Sequence, residues 1–229
     1  MSVLVIIQAR LGSTRLPSKV LETVGDFPVL FHVAMRARHA LPFAHHLIAA
    51  PSHDVEEMQD YCVGEFFGWR GPENDVLGRF AAAVGLRSVT TIVRLTADCP
   101  FVDWRGIRAV ADAVEGGDAD YAWTGDQVNG LDVEAFTLDL LQRAHRHATS
   151  DTDREHCTPW IRRHASRAYR FDGFDHLPGY RWTLDTKADL AWCRQVAELT
   201  DTSPPDPSAE NLHALIQAHP SLLRLENAA

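Results

Sequence analysis

Apolar residues follow two rhythms along the chain. Val3 to Ile7 is an unbroken apolar, β-branched run, the pattern of a strand covered on both faces. A polar loop follows, from Gln8 to Ser18. Pro28 then opens a helix with Leu30, Val33, Ala34 and Ala37 on one face, at helical spacing. His46 to Ala50 reads as a strand. Asp54 and Glu57 are spaced as a capping box for a helix towards Cys62. Phe66–Trp69 is a short strand and Val76–Leu86 a helix. Thr90–Leu95 repeats the buried-strand pattern. Asp103 caps a helix to Val114. Asp120–Trp123 and Leu131–Phe136 read as strands. Thr137 caps a helix to Ala148, and Asp153 starts one that runs to His164. Tyr169–Phe171 and Arg181–Leu184 are strands, and Thr186 caps the helix after them. Ser203–Pro207 is a linker before a last helix, Ala209–Ala218.

The early alternation of strand and helix predicts an α/β fold: a parallel sheet with helices on both faces. The later hairpin-like strands predict a mixed sheet. Residues 1–200 are expected to form one domain, and 201–229 a linker with a C-terminal helix.

The chain has 229 residues, enough to bury a core without disulfide or metal staples. With 45% hydrophobic and 23% charged residues it is not a disordered chain. Lys and Arg total 22 against 31 Asp and Glu, a net charge of −9 that disfavours nucleic acid as a partner. A local cationic pocket remains compatible with that total. The four cysteines are scattered, with no C-x-x-C, which argues against a zinc ribbon or disulfide framework. The apolar start is too short and lacks the basic flank of a signal peptide. No apolar run approaches the roughly 20 residues of a membrane span. The expectation is a soluble, cytoplasmic protein.

Candidate chemistry clusters at strand ends. The loop Gln8-Ala-Arg-Leu-Gly-Ser-Thr-Arg-Leu-Pro-Ser-Lys19 follows the first strand and precedes a helix, where open α/β sheets bind ligands. Gly12 and Ser13 permit a turn with free N–H groups. Arg10, Arg15 and Lys19 add positive charge suited to phosphate. The spacing fits neither the P-loop nor the dinucleotide fingerprint. A solvated basic loop is the plainer alternative. Asp98 ends the second central strand and, facing polyphosphate, would be a Mg²⁺ ligand; a turn cap is the alternative. Asp185 ends the strand Arg181–Leu184, so two strand-end aspartates can share one metal. Asp132 and Glu134 lie on one face by strand periodicity, and Glu155 and His156 lie near a helix start. Those four can meet the hydroxyls or carboxylate of a second substrate, or be ordinary surface groups. Asp75 is an N-cap that can also reach a nucleoside, and Asp103 is an N-cap.

The stretches IIQARLGSTRLPSKVL, PENDVLGRF, VRLTADCPFVD, GLDVEAF, DREHCTPWIR and RWTLDTKADL occur in that order from residue 5 to about 190. Together they resemble the cytidylyltransferase family of spore-coat polysaccharide biosynthesis proteins. That family is similar to the acylneuraminate and 3-deoxy-manno-octulosonate cytidylyltransferases. The resemblance implies a nucleotide-diphospho-sugar transferase (GT-A-like) fold and transfer of CMP from CTP to a sugar or sugar-like acid, phosphate or phosphonate, with release of pyrophosphate. It implies that Ala9, Arg10 and Gly12 line the nucleotide, with Ser13 and Asp75 near it, and that Arg15 and Lys19 hold the triphosphate. Asp98 and Asp185 would bind Mg²⁺, with Arg15, Lys19 and Asp98 the catalytic groups. Asp132, Glu134, Arg154, Glu155 and His156 would face the acceptor. Pairing into a homodimer is a further implication. Relatives commonly carry Gly where Ser18 and Ala97 stand. Two rivals share parts of this pattern. A metal-dependent glycosyltransferase usually places an Asp-x-Asp pair on the metal, and here the strand end reads Ala97-Asp-Cys99. A non-catalytic nucleotide-binding subunit would keep the loop but not need Lys19, Asp98 and Asp185 together.

Overall fold

Side chains of the first strand point alternately to two faces, and that alternation sorts the molecule into layers. In the computed structural model, which describes residues 3–62, 64–85, 87–203 and 206–226, the strands are β1 (Val3–Gln8), β2 (Thr23–Val24), β3 (Phe27–Pro28), β4 (His45–Pro51), β5 (Glu65–Trp69), β6 (Thr91–Thr96), β7 (Tyr121–Trp123), β8 (Glu134–Thr137) and β9 (Ala168–Arg170). The main sheet has the order β5-β4-β1-β6-β8-β7-β9, and β2 and β3 form a separate small hairpin. β1 pairs in parallel with β4 and β6. β8 runs antiparallel to both β6 and β7.

The helices are α1 (Val29–Ala40), α2 (Val55–Gln59), α3 (Val76–Val84), α4 (Trp104–Glu115), α5 (Leu138–His147), α6 (Asp151–His156), α7 (Pro159–His164), α8 (Lys187–Leu199) and α9 (Ala209–Ala218). Val3, Val5 and Ile7 pack with Leu30, Val33 and Ala37 of α1 and Ile107 and Val110 of α4. Leu4 and Ile6 face the other way, onto Leu77 and Phe80 of α3, Leu141 of α5 and Ile161 of α7. A third core joins Leu16, Trp182 and Leu184 to Trp192 of α8 and Leu212 and Ile216 of α9, so the C-terminal helix packs on the same body.

Several elements depart from the sequence expectation. Asp54 stands at the N-cap of α2, but its side chain makes no cap bond: its Oδ2 accepts from Leu11 N–H at 2.9 Å, outside the helix. The helix expected from Asp153 to His164 is broken into α6 and α7. Pro159 has no N–H to continue the ladder, and Cys157 before it turns at φ 67°. Ser150, not Asp153, is the cap of α6. The strand expected from Leu131 begins only at Glu134, because Thr124 Oγ1 takes the Val133 N–H at 3.0 Å. Residues 181–184 form no regular strand. Their N–H groups go to separate segments: Arg181 to Arg224 O, Trp182 to Asn129 O, and Leu184 to Asp98 O at 2.9 Å. Part of the linker Ser203–Pro207 lies outside the described residues.

Candidate active site

Successive connections leave β1 towards β4 on one side and return to β6 on the other, so the sheet order reverses between β1 and β6. Helices diverge at such a point and leave a crevice at the carboxyl ends of the strands. Gln8 and Thr96, the last residues of the two strands, are register partners there. The crevice holds a cavity of about 350 Å³ walled by Arg10, Gly12, Arg15, Lys19, Arg79 and Asp98, among others. A second cavity, about 340 Å³, opens beside it under Tyr121, Trp123, Asp132 and Glu134. Thr96 and Asp98 line both.

The loop after β1 is shaped by its own carbonyl. Leu11 O accepts from Ser13 N–H at 2.8 Å and from Ser18 N–H at 3.0 Å. Asp54 anchors Leu11 from the other side. The curl leaves the Gly12 and Thr14 N–H groups with no acceptor among the described residues, whereas that of Ser13 turns inward. Arg79 buttresses the loop from α3. Its side chain is buried and donates to Ala9 O at 3.3 Å and Glu73 O at 2.7 Å, while Nε has no partner.

Lys19 stands at the centre. Its Nζ donates to Asp98 Oδ2 at 2.6 Å and Asp185 Oδ1 at 2.8 Å. Burial acts against its charge, but the two carboxylates outweigh it and hold the ammonium above its ordinary range. Asp185 also faces Arg15 at 3.1 Å and Arg181 at 3.0 Å. Against the cost of burial, these cations bring its carboxyl down to about 2. Asp189, buried in the first turn of α8, fixes the Asp185 backbone. Its Oδ2 accepts from the N–H groups of Asp185 at 2.8 Å and Thr186 at 2.7 Å, and Oδ1 accepts from Arg224. A C-terminal segment thus supports the Asp185 carboxylate. Leu184 N–H on Asp98 O is the bond that brings Asp185 beside Asp98.

A model of the family described as cytidylyltransferase matches residues 4–219. The chain belongs to the cytidylyltransferase family. It is 31% identical to the spore coat polysaccharide biosynthesis protein SpsF of Bacillus subtilis, covering 95% of each chain. It is 33% identical to a 3-deoxy-manno-octulosonate cytidylyltransferase of Xanthomonas campestris over 62% of this chain and 59% of that one. In fold it is similar to a cytidylyltransferase from Leptospira borgpetersenii, with TM-score 0.86 and 24% identity over 100% of this chain and 99% of that one. A CMP:2-keto-3-deoxy-manno-octonic acid synthetase complexed with CTP superposes with TM-score 0.67 and 16% identity over 87% and 99% of the chains. The mostly parallel, mixed sheet of the nucleotide-diphospho-sugar transferase fold is the one observed.

In this cytidylyltransferase-family chain the singled-out residues divide between the cavities. Ala9, Arg10, Gly12, Ser13, Arg15, Lys19, Asp98 and Asp185 line the first, and Asp132 and Glu134 line the second. Glu155 and His156, at the end of α6, line the first cavity and not the second. Asp75 and Arg154 line neither. They bind each other through paired contacts at 2.8 and 2.7 Å, and Asp75 also caps α3 through Gly78 N–H. Glu134 is saturated by Arg94 at 2.6 Å, Tyr121 OH at 2.7 Å and Thr158 Oγ1 at 2.9 Å, so it organises the wall. Asp132 is held by Gly130 N–H at 2.8 Å; desolvation first, then the charge of Glu134, raises its carboxyl above the ordinary range. Sequence reasoning missed Asp54, Arg79, Asp189 and Arg224. Arg79 and Asp189 lay within the quoted stretches, but nothing in their spacing separates them from surface charges. Among the described residues no helix is long and apolar enough to cross a membrane.

Proposed function

We propose that the chain transfers CMP from CTP to a small sugar-like acceptor and releases pyrophosphate. The observation that carries this reading is the pair of cavities meeting at Thr96 and Asp98. One gathers Arg10, Arg15, Lys19 and Arg79 with the carboxylates of Glu73, Asp98, Glu155 and Asp185 beside a loop with free N–H groups, donors that a triphosphate can use. The other is polar and aromatic, as a hydroxylated acceptor requires. Placed across the junction, an acceptor oxygen attacks the α-phosphorus in line. Its bond to phosphorus forms as the bond to the bridging oxygen breaks, and pyrophosphate leaves with the electron pair. Arg10, Arg15, Lys19 and the loop N–H groups receive the charge on the leaving group. The walls hold the two substrates together, which removes most of the entropic barrier to their encounter.

The donor set also suits Mg²⁺. Two hard carboxylates already converge on one cationic atom, Lys19 Nζ, at 2.6 and 2.8 Å. Asp98 and Asp185 would hold the ion, which when bound neutralises phosphate charge and acidifies an attacking hydroxyl. Lys19 is then free to hold triphosphate oxygens. An enzyme of this kind works where CTP is made, in the cytoplasm.

The test is pyrophosphate release from CTP, UTP, GTP and ATP with Mg²⁺ or Mn²⁺, over a pooled acceptor panel, with Asp98→Ala as control. Release from CTP that disappears in the control is expected. Release from another nucleotide corrects the base. Absence of both release and CTP binding overturns the reading.

A further inference from the structure

The Asp54 carboxylate departs from the role its position sets. At the N-cap of α2 an aspartate ordinarily accepts from the first turn of its own helix. Asp54 makes no such bond. Its side chain is buried and reaches away from the helix, where Oδ2 accepts from Leu11 N–H at 2.9 Å. A short helix that forgoes its cap to hold a distant loop breaks a local rule, and such breaks gather at functional sites. The sheet makes the contact possible. β4 runs parallel to β1, and Ala9 N–H on Ala49 O at 3.1 Å carries the pairing one residue past β1. The turn after Pro51 therefore emerges beside the loop after Gln8. Asp54 N–H on Pro51 O at 3.0 Å folds that turn.

The bond to Asp54 fixes one side of Leu11. Its carbonyl fixes the other, accepting from Ser13 and Ser18 N–H. The Leu11–Gly12 peptide is trans, so its N–H points opposite to its C=O. With Leu11 O turned into the curl, Gly12 N–H is turned out of it, and Gly12 lines the first cavity. The aim of that donor is set by the bonds to Leu11. Among the described residues only Asp54 supplies one from outside the loop. Of the basic side chains near Asp54, His53 places Nε2 3.4 Å from Oδ1, and Arg79 feels the charge from α3. Neither bonds to Oδ2. An acid also lies beside Gly12. Glu73 Oε1 is 3.1 Å from the place a Gly12 Cβ would take and 3.4 Å from Arg10. Its side chain is 40% exposed and can turn to solvent as a triphosphate enters.

We propose that Asp54 is a positioning residue for nucleotide binding: without touching the nucleotide, its hydrogen bond to Leu11 N–H holds the loop so that Gly12 N–H faces the triphosphate. This rests on the CMP-transfer reading and adds to it a residue that lies 43 positions from the peptide it orders.

The test separates the hydrogen bond from the charge and from fold stability. Asp54→Asn removes the charge and keeps an acceptor oxygen at the same reach. Asp54→Glu keeps the charge and displaces the oxygens by one methylene. Asp54→Ala removes both. CTP affinity of the full-length protein is measured by isothermal calorimetry with Mg²⁺ and no acceptor, at a temperature where thermal melts show each variant folded. Amide hydrogen exchange at Leu11 reads the bond itself. Asp54→Ala and Asp54→Glu should lose Leu11 protection and weaken CTP binding about tenfold or more, the range of one lost hydrogen bond to a charged group. Asp54→Asn should keep the protection and stay within about threefold of wild type. Where Asp54→Ala does not fold, Asp54→Asn against Asp54→Glu carries the same comparison. Unchanged CTP affinity in the Ala and Glu variants, Leu11 protection that survives in both, or an Asn variant as weak as the Ala variant overturns the proposal. Wild type that binds no CTP overturns the CMP-transfer reading itself, whereas wild-type binding that every variant leaves intact removes this inference alone.

Discussion

Lys19 makes two short ion pairs at once, and its removal acts on both the apo protein and the reaction. Lys19→Ala leaves Asp98 and Asp185 facing each other and takes one cation from the leaving group. Turnover, read as kcat/KM for pyrophosphate release, should fall by about 2–4 kcal/mol of transition-state stabilisation. Asp185 carries a pH signature. Its carboxyl lies at about 2 in the folded chain against an ordinary 3.8, so its contribution to stability is full above the ordinary value and is lost as pH falls through about 2. Acid unfolding should therefore be steeper in wild type than in Asp185→Asn over that interval, followed by circular dichroism. Ser18 sits at φ 54°, in the left-handed region that penalises a side chain. Ser18→Gly should raise stability by up to about 1 kcal/mol in urea unfolding. A loss of stability would mean that its side chain supports the loop.

At the scale of elements, the C-terminal segment is a strap across the site. Leu225 bridges Tyr180, Glu226 Oε1 accepts from Asn129 Nδ2 at 2.9 Å, and Arg224 pairs with Asp189. These contacts tie together the segment that carries Asp185 and the turn that carries Asp132. Arg224→Ala leaves the buried Asp189 short of one partner and should cost about 1–3 kcal/mol of stability. Metal titration, followed by isothermal calorimetry, should show weaker Mg²⁺ binding in the same variant, because Asp189 positions Asp185. Gly130 sits in the turn beside the second cavity. It adopts φ 110°, and an added Cβ would lie 2.8 Å from the Trp182 carbonyl carbon. Gly130→Ala should lower stability by at least about 2 kcal/mol and distort the second cavity before the first.

Across the whole molecule, stability comes from three cores laid against a sheet and its C-terminal attachment, without cross-links. Among the described residues no disulfide forms, and all four cysteines are buried. Burial lifts Cys62 to about 11 and Cys157 and Cys193 to about 12, which suppresses their thiolates near neutral pH. A disulfide reagent such as DTNB should label them slowly in the native state and fully after unfolding. Reductant should leave the melting temperature unchanged. Rapid native labelling would show that one face of the core opens readily.

Periodicity alone determined the layers. The apolar run Val3–Ile7 and the β-branched run Thr90–Leu95 read as covered strands, and the one-sided helices after them require a sheet to pack on. The cationic loop was legible too, because Arg10, Arg15 and Lys19 are local in sequence. Tertiary structure decided what depends on long-range hydrogen bonds. Asp54 looked like a cap and became the anchor of a loop 43 residues away. Asp75 caps α3 as its spacing suggests, but its ion pair with Arg154, 79 residues away, could not be read along the chain. Glu155 and His156, at the end of α6, line the first cavity, a placement that their position along the chain does not give. Asp98 and Asp185 meet because a single amide, Leu184 N–H, reaches a carbonyl across the fold. Local patterns set which residues are buried. Which polar groups find each other depends on how buried donors and acceptors are satisfied across the fold, and spacing along the chain does not carry that information.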